Sequence, residues 1–301
     1  MRKFIVSDLH GNGNVYNSIM HFLENVNNEE EVTLYINGDL IDRGPDSANM
    51  LLDVIERIKN GPFKIEYLAG SHELLMHQFF LDKKNNTKEY YEDWFDNGGL
   101  STYYDLYDKI NDKEMDDVSK FISNLKIYHK FDEKIKDKNI VLVHSSSAID
   151  IKDECDLKLA DNTNPVYFAL LSRTFPNYFP FRCKIGNPKY FTIVGHTPND
   201  NHYGTEYNEK ENYLNIDGGS SKYVRGHFDC DHVPLVEVND RFLKILTFNN
   251  NNEIIDGCFM DGKDIYPFSY IELHHNRKYL SKTLKVKKLV KNEDGEVYYN
   301  E

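Results

Sequence analysis

Lys3-Phe4-Ile5-Val6-Ser7-Asp8-Leu9-His10-Gly11 opens the chain as a short apolar run that breaks into a polar loop. The apolar run reads as a buried strand. Asn14 then precedes Val15, Tyr16, Ile19, Met20, Leu23 and Val26, apolar positions at helical spacing. Asp8 and His10 therefore sit on a strand-to-helix loop, the edge of an α/β sheet where ligands bind. A carboxylate and an imidazole two residues apart on such a loop can face one metal ion.

The pattern repeats twice. Val32-Thr33-Leu34-Tyr35-Ile36 reads as a second strand and runs into the acidic loop Asn37-Gly38-Asp39-Leu40-Ile41-Asp42-Arg43-Gly44-Pro45. A helix follows, with Ala48, Leu51, Leu52, Ile55 and Ile58 on one face. Lys64 to Leu68 is a third strand, entering Gly70-Ser71-His72-Glu73 and another helix. Three strand–loop–helix units thus place Asp8, His10, Asp39, Asp42, Arg43 and His72 on the same edge of one sheet, which chance alone would rarely do.

These residues carry a resemblance. SDLHG at 7–11, GDLIDRG at 38–44 and GSHE at 70–73 resemble the motifs GDxHG, GDxxDRG and GNHE of metallophosphoesterases of the phosphoprotein phosphatase (calcineurin-like) type. Later segments match in order: Val143-His144, Gly195-His196-Thr197 and Ile216-Asp217-Gly218-Gly219. Trp94 to Gly99, followed by Thr102, resembles the W-x-x-N-G-G segment of the compact bacterial and phage members. The resemblance covers about residues 1–240 and implies an α/β fold of two packed mixed sheets with helices outside and a helical insertion. No internal repeat or linker separates a further unit, so residues 1–301 read as one domain in which 241–301, past the family core, form a β-rich extension.

The resemblance assigns roles residue by residue. Asp8 and His10 match ligands of a first metal, and Asp39 matches the carboxylate that bridges two. His144 and His196 match ligands of the second, and Ser71 stands where that metal's asparagine ligand is expected. His72 matches the general acid and Asp42 its carboxylate partner; an imidazole can hold or release a proton near neutrality. Arg43 matches a phosphate-gripping residue, since a planar guanidinium pairs oxygens two at a time. Leu170-Leu171-Ser172-Arg173 resembles the segment that delivers a second such arginine, although tryptophan is usual where Ser172 stands; Arg182 competes with Arg173 for that role.

Phosphate esters are anionic and repel anionic nucleophiles, a difficulty that two metal ions about 3.5–4 Å apart overcome. The mixed imidazole and carboxylate set suits manganese, iron or zinc better than calcium. The expected activity is that of a metal-dependent phosphatase of phosphoserine or phosphothreonine proteins. Hydrolysis of diadenosine tetraphosphate or another small phosphoester stays open, as does a weakened phosphatase that only binds phosphate, a reading motivated by Ser71.

Composition narrows the partners. The 301 residues include 36 basic and 49 acidic ones, for a formal charge of −13. That balance argues against stable nucleic-acid or membrane-surface binding, which favours basic proteins. No stretch is apolar enough to span a membrane. Met1-Arg2-Lys3 leads directly into the first strand, read as an absence of signal peptide and a cytoplasmic location. Cys155, Cys183, Cys230 and Cys258 are widely spaced and read as free thiols.

The remaining chain predicts a mostly helical stretch at 82–126, with Asp82 to Lys88 a solvated loop and Met115, Val118, Phe121, Ile122 and Leu125 a core stripe. Trp94 reads as core. Residues 131–138 suggest a hairpin, and 148–190 an irregular region broken by Pro165, Pro176, Pro180 and Pro188. Short strands follow at 191–194, 213–216, 233–238, 242–248 and 253–259, with a hairpin around Asp294-Gly295. His227 to His232 reads as a polar loop.

Overall fold

A computed structural model describes residues 1–147, 157–161, 163–172, 184–199, 201, 203–227, 232–280, 288–291 and 297–300. The N-terminal third is the expected alternation: β1 (Arg2–Val6), α1 (Gly13–Asn27), β2 (Val32–Asn37), α2 (Ser47–Asn60), β3 (Lys64–Leu68) and α3 (Ser71–Asn85). β2 pairs in parallel with both β1 and β3, and all six of its residues are buried. A parallel strand covered on both faces needs such a continuous apolar and β-branched run.

α4 (Tyr91–Trp94) continues through a π-helical turn, Phe95–Gly99, into α5 (Leu100–Lys109), and α6 (Asp112–Ser123) follows. α6 starts on a capping box: the Asn111 side chain accepts from the Lys113 and Glu114 N–H groups, while Glu114 accepts from the Asn111 N–H. β4 (Tyr128–Ile135) and β5 (Lys138–Val143) form a hairpin whose two turn residues, Lys136 and Asp137, are both left-handed. Then come α7 (Asn164–Leu171), β6 (Phe191–Val194), β7 (Glu206–Asn208), β8 (Tyr213–Asn215), α8 (Ser220–Tyr223), β9 (Val233–Asn239), β10 (Phe242–Phe248), β11 (Ile254–Met260), β12 (Ile265–Pro267), α9 (Tyr270–Arg277) and the hairpin of β13 (Lys288–Lys291) with β14 (Val297–Asn300).

The larger sheet has seven strands in the order β12-β11-β10-β9-β1-β2-β3, and the second has five, β4-β5-β6-β8-β7. Both are mixed. Alternation along β1 shows how they pack. Ile5 belongs to an apolar cluster with Phe131, Leu142, Phe191 and Leu214 of the second sheet, whereas Phe4 and Val6 join the cluster that includes Val15, Ile19 and Phe22 of α1. The fold is therefore two face-to-face sheets with helices outside. Among the described residues, no helix is long and apolar enough to cross a membrane.

Two local expectations change. Asp82 to Asn85 is the last turn of α3 rather than a loop, held because buried Asp82 accepts from the Thr87 hydroxyl and the Tyr90 N–H. Pro165 lies in the first turn of α7 instead of breaking structure, a place where its missing N–H costs nothing. The β-rich segment after about residue 240 supplies β10, β11 and β12 to the main sheet, with β10 paired along its whole length to β9.

Candidate metal centre

The loops that leave the C-terminal ends of β1, β2, β3, β5 and β6 converge. They do so through an unusual backbone: Asp8, His10, Asp39, Asp42, Arg43 and His196 all have positive φ, between 47° and 71°. None is glycine, and such conformations cost of order 1–3 kcal/mol each, which marks them as functional candidates. Glycine is needed where the loops touch. A Cβ on Gly38, itself at φ 78°, would lie 2.4 Å from Gly70 Cα, and one on Gly195 would lie 2.0 Å from Asp8 Oδ2.

Asp39 is the shared member of two clusters. His10, Asp39 and His72 form one; Asp39, His144 and His196 form the other; within each, the candidate ligand atoms lie within 4.8 Å of one another. His10 Nε2 is 3.6 Å and His144 Nε2 3.3 Å from Asp39 Oδ2. His144 Nε2 is 3.2 Å from His196 Nδ1. Ring orientation is set behind the site: Nδ1 of His10 meets the Ile41 carbonyl at 3.0 Å, and Nδ1 of His144 the Asn37 carbonyl at 2.9 Å. A carbonyl only accepts, so both Nδ1 atoms carry the proton and both Nε2 atoms face Asp39.

Ser71 and Asp8 border the two clusters. The Ser71 hydroxyl donates to Asp39 Oδ2 at 3.0 Å, beside the His72 N–H, which donates to Oδ1 at 2.9 Å. Asp8 belongs to neither cluster. Its carboxylate accepts from the Ser7 hydroxyl at 2.5 Å and from the His196 N–H at 3.0 and 3.1 Å, so it ties the β1 loop to the β6 loop.

Asp42 is fully buried and holds three donors. His72 Nδ1 meets its Oδ2 at 2.7 Å, Trp94 Nε1 donates to the same oxygen at 2.8 Å, and the Thr102 hydroxyl donates to Oδ1 at 2.7 Å. Trp94 is core, packed on Phe79, and also a hydrogen-bond donor to the site, a duty the sequence did not announce. Arg43 Nη1 lies 3.0 Å from His10 Nε2, and the Arg43 N–H donates to the Gly98 carbonyl at 3.3 Å. Arg173 and Arg182 fall outside the described residues, as do Cys155, Cys183, Cys230 and residues 228–231 of the polar loop; Cys258 is a buried free thiol.

Two further buried acids support the site. Glu73 accepts from the Asp39, Leu40 and Gly70 N–H groups and the Tyr67 hydroxyl, so it clamps the β2 loop to the start of α3. It is the last residue of GSHE, the only signal available beforehand. Asp217, inside the matched Ile216 to Gly219 motif, accepts from the Gly219 N–H at 3.0 Å.

The electrostatics fit divalent cations. Burial, and secondarily Asp217, hold the Asp8 carboxyl well above the usual range. Burial pushes Asp217 up to about 6, against the Gly219 hydrogen bond. Burial and then Arg43 and His72 keep His10 well below a normal imidazole, hence neutral with a lone pair on Nε2. At His144 burial opposes charge, but Asp39 and Asp8 outweigh it and push the imidazole up to about 10. Burial likewise opposes Asp39, and His144 and His72 outweigh it, so Asp39 is ionised. The site thus gathers buried carboxyl groups around inward-facing imidazole nitrogens. That donor set matches mid-series divalent metals.

A model of the family described as "Calcineurin-like phosphoesterase" matches residues 1–228. Two Buchnera aphidicola proteins, from the aphid hosts Acyrthosiphon pisum and Baizongia pistaciae, are each named symmetrical bis(5'-nucleosyl)-tetraphosphatase. They are 31% identical over 96 residues and 29% identical over 89. The match covers 32% and 29% of this chain, and 32% and 30% of theirs, so it spans about a third of the length of these relatives. A protein serine/threonine phosphatase from Saccharomyces cerevisiae shares the fold, with a TM-score of 0.56 and 13% identity over 83% of this chain and 80% of the other.

Proposed function

Because the chain belongs to the calcineurin-like phosphoesterase family, we propose that it is a dinuclear-metal-dependent hydrolase of phosphoric esters with its site at the two histidine clusters around Asp39. The observation that carries this reading is Asp39 itself, one carboxylate shared by two sets of buried imidazoles. Asp39 would bridge the metals, His10 with Asp8 would serve the first, and His144 and His196 with Ser71 the second. When bound, the two ions supply an acidified water and positive charge for the phosphoryl oxygens. Manganese, iron and zinc all suit these donors.

The protein's own groups do the rest. Arg43 reaches into the cluster and grips a phosphoryl oxygen. Asp42 fixes Nδ1 of His72, which leaves Nε2 to protonate the departing alkoxide. Trp94 and Thr102 hold Asp42 in turn. Resemblance to compact bacterial and phage phosphatases supports phosphoserine and phosphothreonine proteins as substrates. The names of the Buchnera relatives favour a second reading, hydrolysis of diadenosine tetraphosphate.

The test is hydrolysis of p-nitrophenyl phosphate by the full chain, with and without manganese, alongside a metal count. We expect a rate that rises with metal and saturates at about two ions per chain, and that Asp39→Asn abolishes with loss of metal. Equal rates with and without bound metal would end the proposal.

A further inference from the structure

Arg43 has a second guanidinium beside it. Arg225, just past α8, and Arg43 line one solvent-open pocket of about 460 Å³, together with Asp96, Asn97 and Ser101 from the π-turn and the start of α5. Nothing in the sequence motifs marks Arg225. Its side chain is nevertheless positioned, since Nε donates to the Ser221 carbonyl at 2.9 Å. Arg43 is positioned too, with its N–H on the Gly98 carbonyl and Gly98 so close that an added Cβ would lie 2.9 Å from Arg43 Cγ.

Among the described residues neither guanidinium makes an ion pair, although Asp96 lines the same pocket. Two held cations lining one cavity repel each other, outnumber the one carboxylate among its described lining residues, and favour an anion between them. Burial, and then the charge of Arg43, lower the Arg225 pKa. A phosphoryl group is the natural occupant: it presents several oxygens to two planar forks, where a carboxylate has only two.

We propose that the space between Arg43 and Arg225 is a subsite for a second phosphoryl group, so that preferred substrates carry an anhydride-linked phosphate next to the one attacked. The inference rests on the hydrolase reading above, in which Arg43 already serves the first phosphoryl group. Arg43 then lies between the two, with Arg225 on the outer one.

The experiment is calorimetric titration of the manganese-loaded full chain, free manganese buffered, with methylphosphonate and methylenediphosphonate, neither of which is hydrolysed. The wild type should prefer the diphosphonate by about tenfold, the lower end for one charged hydrogen-bonding group at an exposed site. In Arg225→Gln that preference should fall to about twofold or less, and Arg225→Lys should keep part of it, as a point charge replaces a fork. On turnover, Arg225→Gln should lose about tenfold more on diadenosine tetraphosphate than on p-nitrophenyl phosphate, by the same arithmetic. An undiminished diphosphonate preference in Arg225→Gln overturns the subsite. So does an equal weakening of an aspartate-flanked phosphoserine peptide, which would make the pocket a reader of any anion. If the wild type turns over no phosphoester at all, the hydrolase reading falls, while the titration still decides the subsite.

Discussion

Thr102→Val isolates the support of the proposed general acid. The substitution keeps the side chain's shape and removes one hydroxyl. That hydroxyl is the donor to Asp42 Oδ1, at 2.7 Å, while His72 and Trp94 share Oδ2. Asp42 is 0% exposed, so no solvent replaces the lost partner. A hydrogen bond to a buried charged group is worth about 1.5–3 kcal/mol. For a chain this long a fall in Tm of about 2 °C per kcal/mol applies, or about 3–6 °C in all. The same energy, if it appears in the transition state, is about 10–150-fold in rate. It should appear there unequally. Phenyl phosphate, with a poor leaving group, needs the proton from His72, whereas p-nitrophenyl phosphate scarcely does. The assay is therefore a thermal melt with metal content, and kcat on both esters. Thr102→Ser, which keeps the hydroxyl, should recover most of both losses. If Thr102→Val melts lower but loses equal activity on the two esters, Asp42 braces the fold and does not serve the acid.

Other predictions test neighbouring parts of the same site. His72→Asn should lower turnover of phenyl phosphate about 10²–10⁴-fold and that of p-nitrophenyl phosphate less; equal losses assign His72 another role. Arg43→Ala should raise KM and weaken inhibition by inorganic phosphate with metal content unchanged; loss of metal would place Arg43 in the metal site instead. Metal uptake should release protons, because His144 is pushed up to about 10 and must give up a proton to become a ligand. Affinity should then rise as pH climbs toward that value, read as buffer-dependent binding heats, and buffer-independent heats contradict it. Ser71→Asn should raise manganese affinity and turnover together, by about the 10–100-fold typical of a supporting ligand change, and identical titration curves for both forms would make the serine harmless.

What the sequence could disclose was set by how local each signal is. Period-3.6 and short apolar runs are local, so β1 to α3 and the loops carrying Asp8, Asp39 and His72 were legible from residues 1–80 alone. The inter-sheet core was not, because Ile5 meets Leu142 and Leu214 across more than a hundred residues of chain. Separation along the chain likewise hid the hydrogen bonds of Trp94 and Thr102 to Asp42, 52 and 60 residues away, and of Asp8 to the His196 backbone, 188 away. Asp82 misled for the opposite reason: a run of Asp, Lys and Asn looks solvated, yet its buried carboxylate accepts from Thr87 and Tyr90 just beyond the end of α3. Arg225 had no motif to announce it, being recognisable only once α8 stands opposite the π-turn.

Ser71 bears on the shared carboxylate more than on a ligand count. An amide at this position presents a carbonyl oxygen as acceptor. A serine hydroxyl spends its proton, and here it spends it on Asp39, at 3.0 Å from Oδ2 and 3.3 Å from Oδ1. Oδ2 is also the oxygen closest to His10 and His144. A donor placed on that oxygen competes with a cation for the same lone pairs, so in the proposed site the serine would weaken the Asp39 bridge from the side while offering only a weak ligand of its own. The two effects separate experimentally. Ser71→Ala removes both the hydroxyl's competition and its ligation. If competition dominates, Ser71→Ala binds manganese more tightly than wild type. If ligation dominates, it binds more weakly, and the geometry around Asp39 Oδ2 does not set metal affinity.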